Sequence, residues 1–561
     1  MVSPYLSKKK SETLEISSPT KKLFQVIYKE KQKKADGGSS NDGEAKIKVS
    51  DLISKISFFY EKIRNYVDYN EEHLHRKNAI ARILKRQLVI DRMVVGGNNE
   101  DIARHLLTEL IRAGYLPNNK IPESKIDDVA NLLDKWLRLR KMAMPHGITG
   151  TVQKMVVKEK GELSSWIIGI AASEIEGILN TDKTSEIIVS NMYEYLLKVI
   201  KLPINFADYE KDLPLQIYIS IYRTYLKYDD AMLSHIVFKY YNANWWLPKD
   251  EDIEKIAKNI LPLQRAVKRQ LEHPLIRQMD KLVGRYTLFY SIQADVISDD
   301  PVTVYQNAKN KPSSFSDLAK KAFLKKFERV KSKLWRAGIN SVIYILLTKS
   351  VFAIALEVPA NKYFGEPLNP LSLTINILFP PLLLFMVIMF TRMTTDENNK
   401  KVVAGVEEIT FDEKARKDPI VLKKPSKRHP FMHFFFQFLY FLTFLFTFGV
   451  IVWMLDKINF TWVSIVIFLF FLVFVAFFAL RIRRNIRALF VTEKRESLIN
   501  FLLDFFFIPI AIVGRWLSER ISKINVFMFL MDFVLEAPFK VLVEIAEQWT
   551  RYVRERKEDI E

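Results

Sequence analysis

Lys349 lies near the middle of a largely apolar run, Gly338–Val358. A cation at mid-bilayer costs roughly 3 kcal/mol on insertion scales, and such groups usually face a bundle interior or a watery path. Asn376, Gln437 and Asp504, each within a later apolar segment, are the polar residues that could satisfy it. Together they would make an intramembrane polar site able to pass an ion or a small polar solute. The alternative is a tilted span whose Lys349 snorkels to the headgroups. Pro380-Pro381 follows Asn376 in the second run. Such a break either frees carbonyls for ion coordination or is a plain kink satisfied by neighbouring helices.

Other chemistry is sparse. His429 and His433 are four apart, but Pro430 intervenes and no acidic third ligand is near. His73 and His75 sit in a charged stretch, Glu71–His75. No metal site is expected from either pair. Asp127-Asp128, Asp229-Asp230 and Asp299-Asp300 are better read as solvated faces or helix caps than as paired catalytic carboxylates. There is no Gly-rich phosphate loop ending in Gly-Lys-Ser/Thr, no Gly-x-Ser-x-Gly elbow and no His-Glu-x-x-His. With 0 cysteines, disulfides, thiolate metal sites and cysteine nucleophiles are excluded. No catalytic residue, cofactor or metal is expected. The aromatic group Tyr240, Tyr241, Trp245 and Trp246 suits packing or a contact surface.

The elements that must hold these residues are two pairs of apolar helices, Gly338–Val358 with Leu371–Phe390 and Phe431–Leu455 with Asn459–Leu480. Each pair is closed by a short link, and each run is near the roughly 20 residues needed to cross a bilayer. The chain is therefore expected to be an integral membrane protein.

The net charge of +20 supports this when mapped. Residues 51–300 carry 36 Lys+Arg against 34 Asp+Glu, whereas 301–337 carry 10 against 2 and 481–497 carry 6 against 2. Positive charge thus gathers beside the spans, as positive-inside topology and attraction to anionic lipid require, rather than on a nucleic-acid-binding face. The links Glu357–Pro370 and Asp456–Ile458 are expected outside. The basic stretch 392–430 and Arg481, Arg483, Arg484 and Arg487 are expected inside, with both terminal regions cytoplasmic. The first thirty residues lack a signal-peptide apolar core.

The whole reads as all-α. Residues 1–45 are expected to be a disordered basic tail, with a short helix conceivable around Leu23–Tyr28. Residues 46–300 form a helical cytoplasmic domain, with apolar residues recurring at three- and four-residue spacing and no sustained alternation. Residues 301–337 form a basic amphipathic juxtamembrane helix. Its stripe of Phe315, Leu318, Ala322, Phe323, Phe327, Val330 and Leu334 is ringed by Lys320, Lys321, Lys325, Lys326, Lys331 and Lys333. These lysines, with Arg483, Arg484 and Arg487, are the expected contacts to anionic headgroups. A first transmembrane hairpin (338–392), a basic loop (393–430) and a second hairpin (431–480) follow. Residues 481–561 are read as interfacial helices. Leu498–Trp516, with Asp504 and Pro509, is expected to be interfacial or re-entrant rather than half of a third hairpin, and Val526–Trp549 is amphipathic.

At Phe59-Tyr60-Glu61-Lys62-Ile63-Arg64-Asn65, Tyr115-Leu116-Pro117-Asn118-Asn119-Lys120-Ile121-Pro122 and Asn376-Ile377-Leu378-Phe379-Pro380-Pro381-Leu382, the chain resembles a group of multi-pass membrane proteins from reduced-genome bacteria. The resemblance covers the helical domain and first hairpin in outline. It implies a long helical cytoplasmic region ahead of paired spans in the bacterial cytoplasmic membrane, and it brings no site residues. The function expected first is a non-catalytic scaffold that recruits a cytoplasmic protein partner or a second copy of itself. A transporter or channel component built on Lys349 comes next, then a lipid-modifying enzyme that sets Asp504 near His429 or His433. Nucleic acid is not expected as a partner.

Overall fold

The computed structural model describes residues 14–35, 45–50, 54–55, 57–58, 61–62, 71–89, 98–143, 153–180, 182–203, 207–367, 369–391, 393–424, 430–492, 498–523, 545, 549, 552–553 and 556. The described chain is predominantly helical, with two two-residue strands and the isolated bridges Ile16–Phe411 and Lys46–Pro122. It divides into a helical unit, Ser18–Thr287 with Arg416–Lys424 and Phe533–Glu561, and a membrane unit, Met1–Ser17 with Leu288–Ala415 and Pro425–Asp532.

The helical unit begins with α1 (Ser18–Ala35). Leu23, Phe24 and Ile27 recur at helical spacing and are buried where α1 packs on α6 (Lys183–Val199). This segment belongs to the fold rather than to the expected tail. Its lysines dominate the composition, yet three apolar residues on one face are enough once a partner covers them. The parts of the expected tail at 1–13 and 36–44 lie outside the described residues.

Next come α2 (Glu72–Val89), α3 (Asn99–Arg112), α4 (Ser124–Ala143) and α5 (Gln153–Leu179). Ala103, Leu106, Leu107 and Leu110 of α3 are fully buried in the core shared with α2, α4 and α5. Gly114, with φ of 77°, lets the chain leave α3 through the left-handed region. After α6 come α7 (Leu213–Thr224), α8 (Asp230–Tyr241), α9 (Asp250–Lys258) and α10 (Ile260–Leu271); the last three complete a second core around Trp136, Phe238 and Trp245, while Leu215 and Ile219 of α7 pack with Leu233, Val237 and Val267. The strands β1 (Ile200–Lys201) and β2 (Ile420–Val421) pair in parallel. Two residues each are too few to show as alternation in the sequence.

Charges buried in this unit are bonded. Lys135 Nζ donates to Glu174 at 2.9 Å and to the Trp245 carbonyl at 3.0 Å. Glu174 also accepts from Trp136 Nε1 at 2.6 Å. Arg76 binds Glu176 through both Nε and Nη2, at 2.6 and 2.7 Å. Two of the acidic pairs supply helix caps: Asp229 accepts from Met232 N at 3.0 Å and Asp300, which precedes Pro301, from Thr303 N at 3.3 Å.

The helix α11 (Ile276–Asp299) carries the chain into the membrane unit, where α12 (Pro301–Asn310) precedes α13 (Pro312–Phe352). The juxtamembrane helix and the first span are thus one continuous helix of 41 residues. A π-helical turn, Ala353–Glu357, and α14 (Val358–Tyr363) prolong it, so the link expected over Glu357–Pro370 begins about two helical turns later than expected. The second span is α15 (Pro370–Met389), which passes through Pro380 and Pro381 without ending. The stretch expected as a basic loop contains α16 (Asp396–Thr410), packed on α13, with Gly405 directly against the Phe289 ring. The spans α17 (Pro430–Lys457) and α18 (Trp462–Arg487) follow. The helix α19 (Leu498–Lys523) runs unbroken through Pro509 along α18. There Gly514 meets the Val473 carbonyl so closely that no Cβ fits.

Among the described residues, four helices are long and apolar enough to cross a membrane: the one spanning Pro312–Tyr363, and α15, α17 and α18. Phe431, Phe434, Phe438, Phe441 and Phe446 of α17 are exposed, an outer surface suited to hydrocarbon rather than water. The chain is an all-α membrane protein. The amphipathic segment expected at Val526–Trp549 falls almost wholly outside the described residues.

Candidate functional site in the membrane unit

Lys349 is fully buried within the membrane unit. Its helix packs on both α15 and α18, and its Nζ sits 4.0 Å from the centroid of the Phe471 ring on α18. A desolvated ammonium gains about 2 kcal/mol from such a π face. It has no hydrogen-bond partner among the described residues. Snorkelling to a headgroup level therefore does not describe this side chain.

Two helical turns on, Glu357 is also fully buried, and it is the carboxylate whose charge reaches Lys349. The π turn explains how both come to one side. In an uninterrupted α-helix, eight residues rotate about 80° past alignment. A π turn takes more residues per revolution and holds that rotation back. Asn376 of α15, fully buried, donates Nδ2 to Glu357 Oε1 at 2.6 Å and lies 3.4 Å from the Ser464 carbonyl. Ser464 and Thr461 close the cluster from the start of α18. Thr461 Oγ1 donates to Asn361 Oδ1 at 2.8 Å and accepts from Ser464 N at 3.2 Å, capping α18. Asn361 Nδ2 donates to Ser464 Oγ at 3.4 Å.

Three polar atoms of the cluster have no hydrogen-bond partner among the described residues: Lys349 Nζ, Glu357 Oε2 and Asn376 Oδ1. One donor and two acceptors, all enclosed, form an arrangement that can hold a cation, a proton or a polar group of a solute.

Of the residues proposed from sequence, Lys349 and Asn376 are brought to this cluster. Gln437 is not: it is exposed on α17, with Nε2 3.2 Å from His433 Nε2 one turn away. The side chain of Asp504 and all of His429 lie outside the described residues. Glu357, Asn361, Thr461 and Ser464 were missed. Glu357 was assigned to a span end and its link, and only a carboxylate inside an apolar run, on the same helix as a mid-span lysine, could have flagged it.

The apolar stripe of the basic helix is covered by protein. Phe315, Phe323 and Phe327 are buried, with Phe315 edge-on to Phe411 at 5.6 Å and Phe327 to Phe490 at 6.1 Å. Lying stripe-down on lipid is not how this helix is arranged, because α16 and its flanks already occupy that face. Lys320, Lys321, Lys325 and Lys333 point outward, as do Arg484 and Arg487, whereas Lys331 and Arg483 are partly buried. Lys326 is tied to Asp295 at 2.7 Å and to Ser291.

In the helical unit, the aromatic group splits in two. Trp245 is buried and donates to Glu174, while Trp246 is 67 % and Leu247 82 % exposed beside Tyr240 and Tyr241. Near Trp245, burial pushes the His235 imidazole down to about 4, against the opposing pull of Glu174. No cluster of three or more metal-ligating side chains occurs among the described residues. His73 instead packs on Tyr228 with ring centroids 5.7 Å apart.

No family model, no curated protein and no solved structure matches the chain.

Proposed function

We propose that this protein is a transport or channel component of a bacterial cytoplasmic membrane, working through the Lys349–Glu357–Asn376 cluster. The observation that carries this reading is the enclosure of a cation and a carboxylate in one membrane-spanning helix without a direct bond between them. Ionisable groups at such depth are costly, and they recur along ion and substrate pathways. A purely structural pair would be expected to close into a bonded contact, as the pairs of the helical unit do.

In this reading the basic faces at Lys320, Lys321, Lys325, Lys333, Arg484 and Arg487 lie at the cytoplasmic leaflet, against anionic headgroups. Both terminal regions are then cytoplasmic. The test is flux or conductance across bilayers reconstituted with the full-length protein. Ion or small-solute movement is expected, with loss of at least tenfold in Lys349→Met and Glu357→Gln. Flux unchanged in both variants would overturn the assignment.

A second reading has its own support. Trp246, Leu247, Tyr240 and Tyr241 form an exposed aromatic face on a near-neutral helical unit, and such residues dominate protein interfaces. A recruitment role, with this face binding a cytoplasmic protein or a second copy, is compatible with transport and testable alone. Trp246→Ala is expected to abolish capture of a crosslinked partner in intact cells while leaving flux unaltered.

A further inference from the structure

We infer that the ligand of the intramembrane cluster is the proton, relayed between Glu357 and Lys349. This deepens the transport reading and rests on it. Three features lead there.

The first is what faces the pair. The span α15 contains no titratable residue, and α18 has none before Arg481. On α14, Lys362 is exposed rather than turned inward. Lys349 and Glu357 therefore hold the site's ionisation between them, and as ammonium and carboxylate they sum to zero. A site neutral at rest avoids the penalty that a net buried charge would carry.

The second is the set of atoms left over. Asn376 holds Glu357 by Oε1 alone, so Oε2 stays available to carry a hydrogen. Lys349 Nζ rests on the Phe471 ring, which attracts the ammonium without accepting its hydrogens as a carboxylate would. Both ends of a transfer are thus fixed in place without being committed to each other.

The third is their placement. Eight residues of helix, five of them in the π turn, separate the pair by at most about 12 Å of rise, so they lie in series along the span rather than side by side.

The relay conserves atoms and charge. A proton entering from the Glu357 end forms an O–H bond at Oε2, leaving a transient excess of one positive charge. Lys349 relieves it by breaking an N–H bond and handing its proton to water at the other end. The proton on Glu357 then passes through intervening water to the amine, restoring carboxylate and ammonium. One proton enters and one leaves.

Two measurements on the full-length chain in phosphatidylethanolamine/phosphatidylglycerol vesicles separate this inference from the transport reading. Infrared difference spectra taken with and without an imposed proton gradient report a protonated carboxyl carbonyl band. That band is expected in the wild type, absent in Glu357→Gln, and changed in amplitude in Lys349→Met. An entrapped pH dye reports proton uptake under a clamped potential, expected to fall at least tenfold in either variant. If the wild-type spectrum contains no such band, or if Glu357→Gln retains it, the proton assignment is overturned, even where ions or solutes still cross. A band from Glu357 in a protein that moves neither protons nor solutes would overturn the transport reading and with it the relay.

Discussion

The two units enclose a lysine in opposite ways. In the helical unit Lys135 is buried and bonded to Glu174 and to the Trp245 carbonyl, and two indole N–H groups complete the carboxylate's shell. In the membrane unit Lys349 is buried more completely, yet it faces a phenylalanine ring with its carboxylate given to an amide. The first arrangement satisfies nearly every polar atom and fixes one packing of α4, α5 and the Trp245 turn. The second leaves a donor and two acceptors unsatisfied by protein among the described residues. Since an unsatisfied buried group costs about 1–3 kcal/mol, tolerance of three within the spans points to a use other than holding helices together.

The largest effect that tests this contrast is on Glu174. Removing one partner of a buried pair costs about 3–5 kcal/mol, because the other is left charged and alone. Glu174→Ala is expected to lower the unfolding free energy of the helical unit by that amount, read from denaturant unfolding followed through the fluorescence of Trp136 and Trp245. Lys349→Met, by contrast, removes an ammonium that makes no hydrogen bond among the described residues, and replaces it with a side chain of similar length. Its cost should stay below that of Glu174→Ala, because Glu357 keeps the hydrogen bond it accepts from Asn376. Equal destabilisation by the two changes would erase the distinction between a structural and a working lysine.

Acid should separate the units next. His235, beside Glu174, is held neutral by burial, its pKa lowered from 6.5 to about 4. The unfolded chain binds a proton at this position more readily than the native one. The stability contributed is therefore whole above about pH 6.5 and is lost as pH falls toward the native value, by roughly 3 kcal/mol in all. His235→Gln should flatten that dependence, as read from midpoints at about pH 7 and about pH 5. An unchanged slope would mean that His235 does not titrate with unfolding.

Most of the architecture was legible because apolar length and helical periodicity are local properties. The four spans follow from composition, and α3, α4 and α6 from repeats at three and four residues. What was hidden depends on partners distant in sequence. The tail's Leu23, Phe24 and Ile27 became core only through α6, and the stripe of Phe315, Phe323 and Phe327 turned to protein only because α16 folds out of what reads as a charged loop. At the site, Lys349 and Asn376 were visible as polar residues in apolar runs. Glu357 was not, since a π turn has no sequence signature that would reveal its rotation onto the face of Lys349. Gln437 looked equivalent to Asn376, but the packing of α17 against α18 and α19 leaves it exposed.

The smallest effects compare one device in two settings. Thr461 caps α18 within the buried cluster, and Asp182 caps α6 in the open, accepting from Ser185 N at 3.1 Å and Ser185 Oγ at 2.6 Å. Thr461→Val keeps the shape but strands Ser464 N and Asn361 Oδ1 in surroundings that exclude water, so about 2 kcal/mol or more is expected. Asp182→Ala exposes its orphaned N–H groups to solvent that can replace the carboxylate, and about 1 kcal/mol is the usual cost. Thermal midpoints of the two single variants, each set against the wild type in the same detergent, read the difference. If Thr461→Val proves no worse than Asp182→Ala, water reaches the base of α18, and the cluster around Glu357 is more open than its burial implies.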